Sequence, residues 1–223
     1  MKQEKLTIAG RQGVAISGTL IRQDRPSRRL AILFPGLTYR NSMPVLYYPR
    51  QLLLERGYEV LTVDYSYDQI PDFADLPEDE KVTWIGDDAR AVMDVVSLLG
   101  GYEHFTLVGK SLGTAAMAAL APDEPSLASA DLVWLTPGFK THGVLDGMAR
   151  CPQRSIIVLG TADPHYEAEY VEAARARGAE VALLPGLDHG LETPGDVIGS
   201  VEAMAEVMKR LAAWLDQAQQ PVT

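Results

Sequence analysis

The chain has 223 residues, 47% of them hydrophobic and 22% charged, which fits one globular domain over 1–223 with a sizeable core. Its formal net charge of −10 argues against nucleic acid as a partner, because phosphate binding needs clustered Lys and Arg, and weakens the case for an anionic membrane surface. The single cysteine, Cys151, excludes an intramolecular disulfide, fits a reducing compartment and has no cysteine partner with which to hold a metal.

Met1 to Ile8 lack the apolar core of a signal peptide, and no apolar run reaches the ~20 residues of a membrane span, so the cytoplasm is the expected location. Residues 4–9 and 13–21 read as strands of an antiparallel lead-in hairpin around Gly10-Arg11-Gln12-Gly13. Leu30 to Phe34 reads as a fully buried strand ending at Pro35-Gly36, residues 45–56 as a helix stopped by Gly57, and Tyr58 to Val63 as the next strand. The stretch 65–80, rich in Asp, Pro and Glu, reads as a solvated loop. Val82, Ile85, Ala89, Val92, Met93, Val96 and Leu99 fall at helical spacing over 82–99, and Gly100-Gly101 ends that helix. Strands follow at 105–108, 131–135, 155–159 and 180–184, with helices at 112–120, 166–177 and 197–216 and a Gln- and Pro-rich tail expected to fray. Alternating strands and helices predict an α/β fold: a mostly parallel sheet with helices on both faces.

One run carries chemistry. Gly109-Lys110-Ser111-Leu112-Gly113 sits between a strand pattern and the helix formers 114–120, the context in which G-x-S-x-G presents a serine on a sharp turn. A plain helix cap is the ordinary alternative for Ser111. Gly109-Lys110-Ser111 also resembles the end of a phosphate-binding loop, but that loop needs a glycine at 104, where the chain has His, and 105–108 read as strand.

A serine hydroxyl needs a base, and a histidine base needs a carboxylate to fix its tautomer. His104 starts the strand before the elbow and so points to the wrong end of the sheet, while His142 comes before any suitable acid. His189, in Gly186-Leu187-Asp188-His189-Gly190, follows the last strand, and its flanking glycines let the loop bend toward the sheet edge. Asp163, in Gly160-Thr161-Ala162-Asp163-Pro164, lies after a buried strand on that same edge, where parallel sheets place their ligands. His165 is only two residues from that acid; Asp188 adjoins His189, and Asp146 is the weaker rival to Asp163. The backbone N–H groups of Leu112 and of Leu37, in Phe34-Pro35-Gly36-Leu37-Thr38, are the expected donors to a developing oxyanion. Tyr39, Tyr65, His142, His165 and Tyr166 lie on loops at the same edge and are expected to line the pocket.

Taken together, the elbow Gly109 to Gly113, Asp163 after the seventh strand pattern and His189 after the eighth resemble the small α/β-hydrolases over nearly the whole chain. The resemblance implies an eight-stranded sheet, a Ser-His-Asp triad, no cofactor, no metal and a small-molecule substrate carrying an ester or related acyl bond; it leaves the oligomeric state open. The chain has Pro35-Gly36 where that family carries His-Gly, and fewer than twenty residues separate 131–135 from 155–159, where many relatives insert a helical lid. An open, lidless cleft is therefore expected, as in the dienelactone-hydrolase-like and small carboxylesterase branches.

Overall fold

A computed structural model describes residues 1–217, so the tail expected to fray lies outside the described residues. Strands β1 (Lys2–Ala9) and β2 (Ala15–Arg22) form the antiparallel lead-in hairpin. Strand and helix then alternate: β3 (Arg29–Phe34), α1 (Pro44–Glu55), β4 (Glu59–Asp64), α2 (Glu78–Leu99), β5 (His104–Lys110), α3 (Leu112–Leu120), β6 (Asp131–Leu135), α4 (Val144–Arg150), β7 (Ser155–Gly160), α5 (Ala168–Ala176), β8 (Glu180–Leu184) and α6 (Val197–Gln217). The eight strands lie in one sheet in the order β1-β2-β4-β3-β5-β6-β7-β8. The pairs β1/β2 and β2/β4 are antiparallel, and every other neighbouring pair is parallel.

The unbroken apolar runs of the central strands follow from burial on both faces. Leu30, Ile32 and Phe34 of β3 pack with α2, α3 and α4 on one face, while Ala31 and Leu33 pack with α1 and α6 on the other. The same two-residue alternation sends Leu132 and Trp134 of β6 to the first face and Val133 and Leu135 to the second. Strands β3 and β5 are neighbours whose following helices, α1 and α3, lie on opposite faces. Their outgoing chains diverge at the C-terminal edge and open a crevice there, which is where open α/β sheets bind ligands.

Two expectations need correction. Helix α2 starts at Glu78 rather than 82. Its first turn carries Glu78, Asp79 and Glu80, all exposed, so it adds favourable charge at the positive helix end but no apolar spacing to read. The stretch 65–80 is not a purely solvated loop. It holds short 3-10 turns at Tyr67–Gln69 and Phe73–Asp75, and Tyr67 and Phe73 are buried. A run of aromatic contacts links Phe34, Tyr65, Tyr67, Phe73 and Trp84, with neighbouring ring centroids 4.7–6.4 Å apart. Buried Asp88 of α2 fastens the segment, accepting hydrogen bonds from the Tyr67 hydroxyl at 2.8 Å and from the Arg11 N–H at 2.7 Å.

Candidate active site

Ser111 sits between β5 and α3 with φ 52° and ψ −116°, a left-handed backbone that costs a non-glycine residue on the order of 1–3 kcal/mol. The surrounding structure holds it there: its N–H donates to the Leu135 carbonyl at 3.0 Å, and its own carbonyl accepts from the Thr114 N–H at 2.8 Å. A Cβ at Gly113 would lie 2.0 Å from the Phe34 carbonyl oxygen, so only glycine lets α3 begin this close to the end of β3. The turn lifts the Ser111 side chain to the crevice between β3 and β5.

The loop after β8 brings His189 to it. A Cβ at Gly160 would lie 2.0 Å from the Leu187 carbonyl oxygen, so the end of β7 and this loop can touch only because position 160 is glycine. The Leu187 carbonyl accepts the Ala162 N–H at 3.0 Å, and Leu187 and Leu191 are buried on either side of His189. Asp188 turns away from the histidine and accepts the Gly190 and Glu192 N–H groups at 2.7 and 3.1 Å, fixing the loop's bend. His189 Nε2 lies 2.8 Å from Ser111 Oγ, and Nδ1 lies 2.7 Å from Asp163 Oδ2. Asp163 is 4% exposed, and its other oxygen accepts the His165 N–H at 2.8 Å. Burial pushes the Asp163 carboxyl up, but the His189 and His165 hydrogen bonds outweigh it and hold the group below its ordinary value. An ionised Asp163 can only accept, so Nδ1 carries the proton and Nε2 faces the serine hydroxyl as acceptor.

The structure brings Leu37 and Leu112 to one cleft of about 330 Å³, lined also by Tyr67, Ile70, Phe73 and His142. A Cβ at Gly36 would sit 3.4 Å from Ser111 Cβ, which sets the loop carrying Leu37 directly against the elbow. Among the described residues, neither the Leu37 nor the Leu112 N–H has a protein acceptor. His142 Nδ1 lies 2.8 Å from the Glu78 carboxylate, and burial lowers its pKa. His165 sits beside the His189 ring, with centroids 5.4 Å apart, and burial lowers its pKa too. Its Nδ1 is buried with no hydrogen-bond partner among the described residues. Tyr166 packs against the core on the α2–α5 face, and Tyr65 belongs to the run of aromatic contacts. Tyr39 stands behind the elbow, its hydroxyl accepting the Val45 N–H at 3.0 Å. His104 lies at the far end of the sheet, 3.3 Å from Asp131. Sequence reading missed Tyr67, Ile70 and Phe73 as cleft walls; apolar residues recurring within an acidic stretch were the available signal.

A larger cleft of about 450 Å³ lies between the start of α1, the 191–197 loop and α6; Ser111, Asp163 and His189 line neither it nor the 330 Å³ cleft, and of the two only the smaller is lined by Leu37 and Leu112.

No protein-family model matches the chain, and no curated protein matches its sequence. Solved structures do match. A protein of unknown function from Agrobacterium tumefaciens, described as a candidate α/β hydrolase, is 19% identical at a TM-score of 0.73 over 96% of both chains. A lidless α/β serine hydrolase from Xanthomonas campestris is 15% identical at 0.70, over 100% of this chain and 97% of its own. An esterase from Pyrococcus furiosus is 15% identical at 0.70, over 97% and 91%. The chain therefore has the α/β-hydrolase fold. It is also a small, lidless version of it, since the connection from β6 to β7 holds only the seven-residue helix α4.

Proposed function

We propose that this protein is a serine hydrolase that cleaves a carboxylic ester or related acyl bond through an acyl-enzyme. The observation that carries the reading is the continuous hydrogen-bonded series Ser111 Oγ, His189 Nε2, His189 Nδ1, Asp163 Oδ2, with steps of 2.8 and 2.7 Å across the ring. Ser111 Oγ attacks the acyl carbon while His189 Nε2 takes its proton, and Asp163 holds the imidazole and stabilises its charge. The Leu37 and Leu112 N–H groups, free of protein acceptors among the described residues, receive the oxyanion. The intermediate collapses, the acyl–oxygen bond breaks, and His189 returns the proton to the leaving alkoxide. Water then repeats the sequence on the acyl-enzyme and releases the acid.

The substrate's acyl group belongs in the 330 Å³ cleft rather than the larger one, a placement supported by Leu37 and Leu112, the proposed oxyanion donors, both lining the smaller cleft. Its Tyr67, Ile70 and Phe73 walls suit a short or ring-sized group. Among the described residues no helix is long and apolar enough to cross a membrane. The lone cysteine, Cys151, which has no second cysteine with which to form an intramolecular disulfide, supports a cytoplasmic location. Purified protein tested on ester, thioester and amide panels should turn over at least one acyl substrate. Ser111→Ala should lower kcat by about 10^4–10^6 with an unchanged melting temperature. A variant that keeps most of the turnover would refute the reading.

A further inference from the structure

Lys110, the first of the elbow's two variable residues, takes no part in the chemistry above, yet it is 3% exposed. A buried lysine ordinarily finds a carboxylate. Among the described residues none lies within ion-pair distance of Lys110. Its ammonium instead sits over the Tyr39 ring, 4.7 Å from the centroid. Its stem runs close to the other end of the same loop, since a Cβ at Gly36 would meet Lys110 Cδ at 3.4 Å. Lys110 thus grips the loop on both sides of Leu37. Tyr39 is itself fixed to the first turn of α1 through Val45. The charged groups acting on Lys110 from its surroundings are Asp163, on the loop after β7, and Asp188, on the loop after β8.

Resting on the hydrolase reading, we propose that Lys110 is a positioning residue for the oxyanion site: its protonated head, seated on Tyr39, holds loop 35–39 against the elbow so that the Leu37 and Leu112 N–H groups converge. Desolvation lowers the Lys110 pKa from 10.5 to about 8, against the opposing pull of Asp163 and Asp188, so the clamp loosens in mildly alkaline solution. The sign for stability runs the other way from the sign for activity. A lysine whose folded pKa is depressed weakens the fold below that value and ceases to do so above its unfolded value. Removing the ammonium should therefore raise the melting temperature at pH 7 while slowing the reaction, a pairing that loss of a structural prop would not produce.

The test is the pH profile of kcat and KM for the wild type, Lys110→Met and Lys110→Arg. Wild type should lose kcat as pH rises through about 8. Lys110→Met should melt higher, lose that alkaline limb and turn over about tenfold more slowly at pH 7, with KM within about twofold, the scale of one lost cation–π contact. Lys110→Arg, charged throughout, should keep most of the turnover and show no limb near pH 8. In amide NMR spectra, the Leu37 resonance should move between pH 7 and 9 in wild type and stay fixed in Lys110→Met, a readout that needs no turnover. An unchanged limb in either variant, or a Leu37 resonance that does not follow Lys110, overturns the inference. In those cases hydrolysis abolished by Ser111→Ala leaves the hydrolase reading standing; a wild type without acyl-transfer activity overturns that reading instead, while the Leu37 resonance still decides the clamp.

Discussion

At the scale of single residues, the hydrogen-bonded arrangement of Ser111, His189 and Asp163 depends on how each side chain is constrained. Ser111 is held in left-handed backbone, His189 is set between two buried leucines, and Asp163 is kept ionised by two hydrogen bonds that overcome its burial. Asp163→Asn should cut kcat by ~10^4, because an amide can donate to Nδ1 and so favours the tautomer that cannot accept the serine proton. Assay of the purified variant, with its melting temperature as control, checks this, and turnover within tenfold of wild type would show that another group orients His189. The meeting of these three side chains was legible because G-x-S-x-G has a mechanical requirement and because the order Ser, Asp, His left few candidates. Lys110 was legible only as a false phosphate-loop signal: nothing in a five-residue motif says that its second position is buried. Its lowered pKa corresponds to a stability cost on the order of 3 kcal/mol below pH 8.

At the scale of elements, the segment between β4 and α2 changes the picture of the cleft most. Its acids and prolines suggested a solvated loop, but composition averages over faces. The acids Asp68, Asp72 and Asp75 are exposed, while Tyr67 and Phe73 turn inward onto Phe34, Tyr65 and Trp84. The cleft consequently has an apolar wall and an acidic rim, with Lys81 the one cation among its lining residues. Esters with short or ring-sized acyl groups should be hydrolysed fastest, and rates should fall as acyl chains lengthen, with no jump at the micelle concentration. A carboxylate at the far end of the acyl group should lower kcat/KM relative to its neutral isostere, and added salt should narrow the gap. A matched substrate series at two ionic strengths reads both effects; preference for long chains or for anionic acyl groups would contradict this account of the wall and rim. The helix boundaries that were missed have a physical cause too, since the first turn of α2 faces solvent and carries no apolar period.

At the scale of the whole molecule, the strand order places the chemistry. Because α1 and α3 leave β3 and β5 toward opposite faces, the loop carrying Leu37 and the elbow carrying Ser111 meet across one crevice. The loops after β7 and β8 reach the same edge from farther along the sheet. All eight strands were readable, the inner ones as continuous apolar runs and the outer hairpin by its Gly-rich turn. The order of strands in the sheet was not read from the sequence, because pairing partners are set by packing between distant segments that local patterns do not encode. The central claim is that Ser111 is the activated nucleophile of this crevice. Reaction with a fluorophosphonate, followed by peptide mapping of the adduct, tests it most directly. The account predicts one phosphonyl group per chain on Ser111, with labelling slowed severely by Asp163→Asn. An unlabelled protein, or an adduct on another residue with Ser111 untouched, would contradict it.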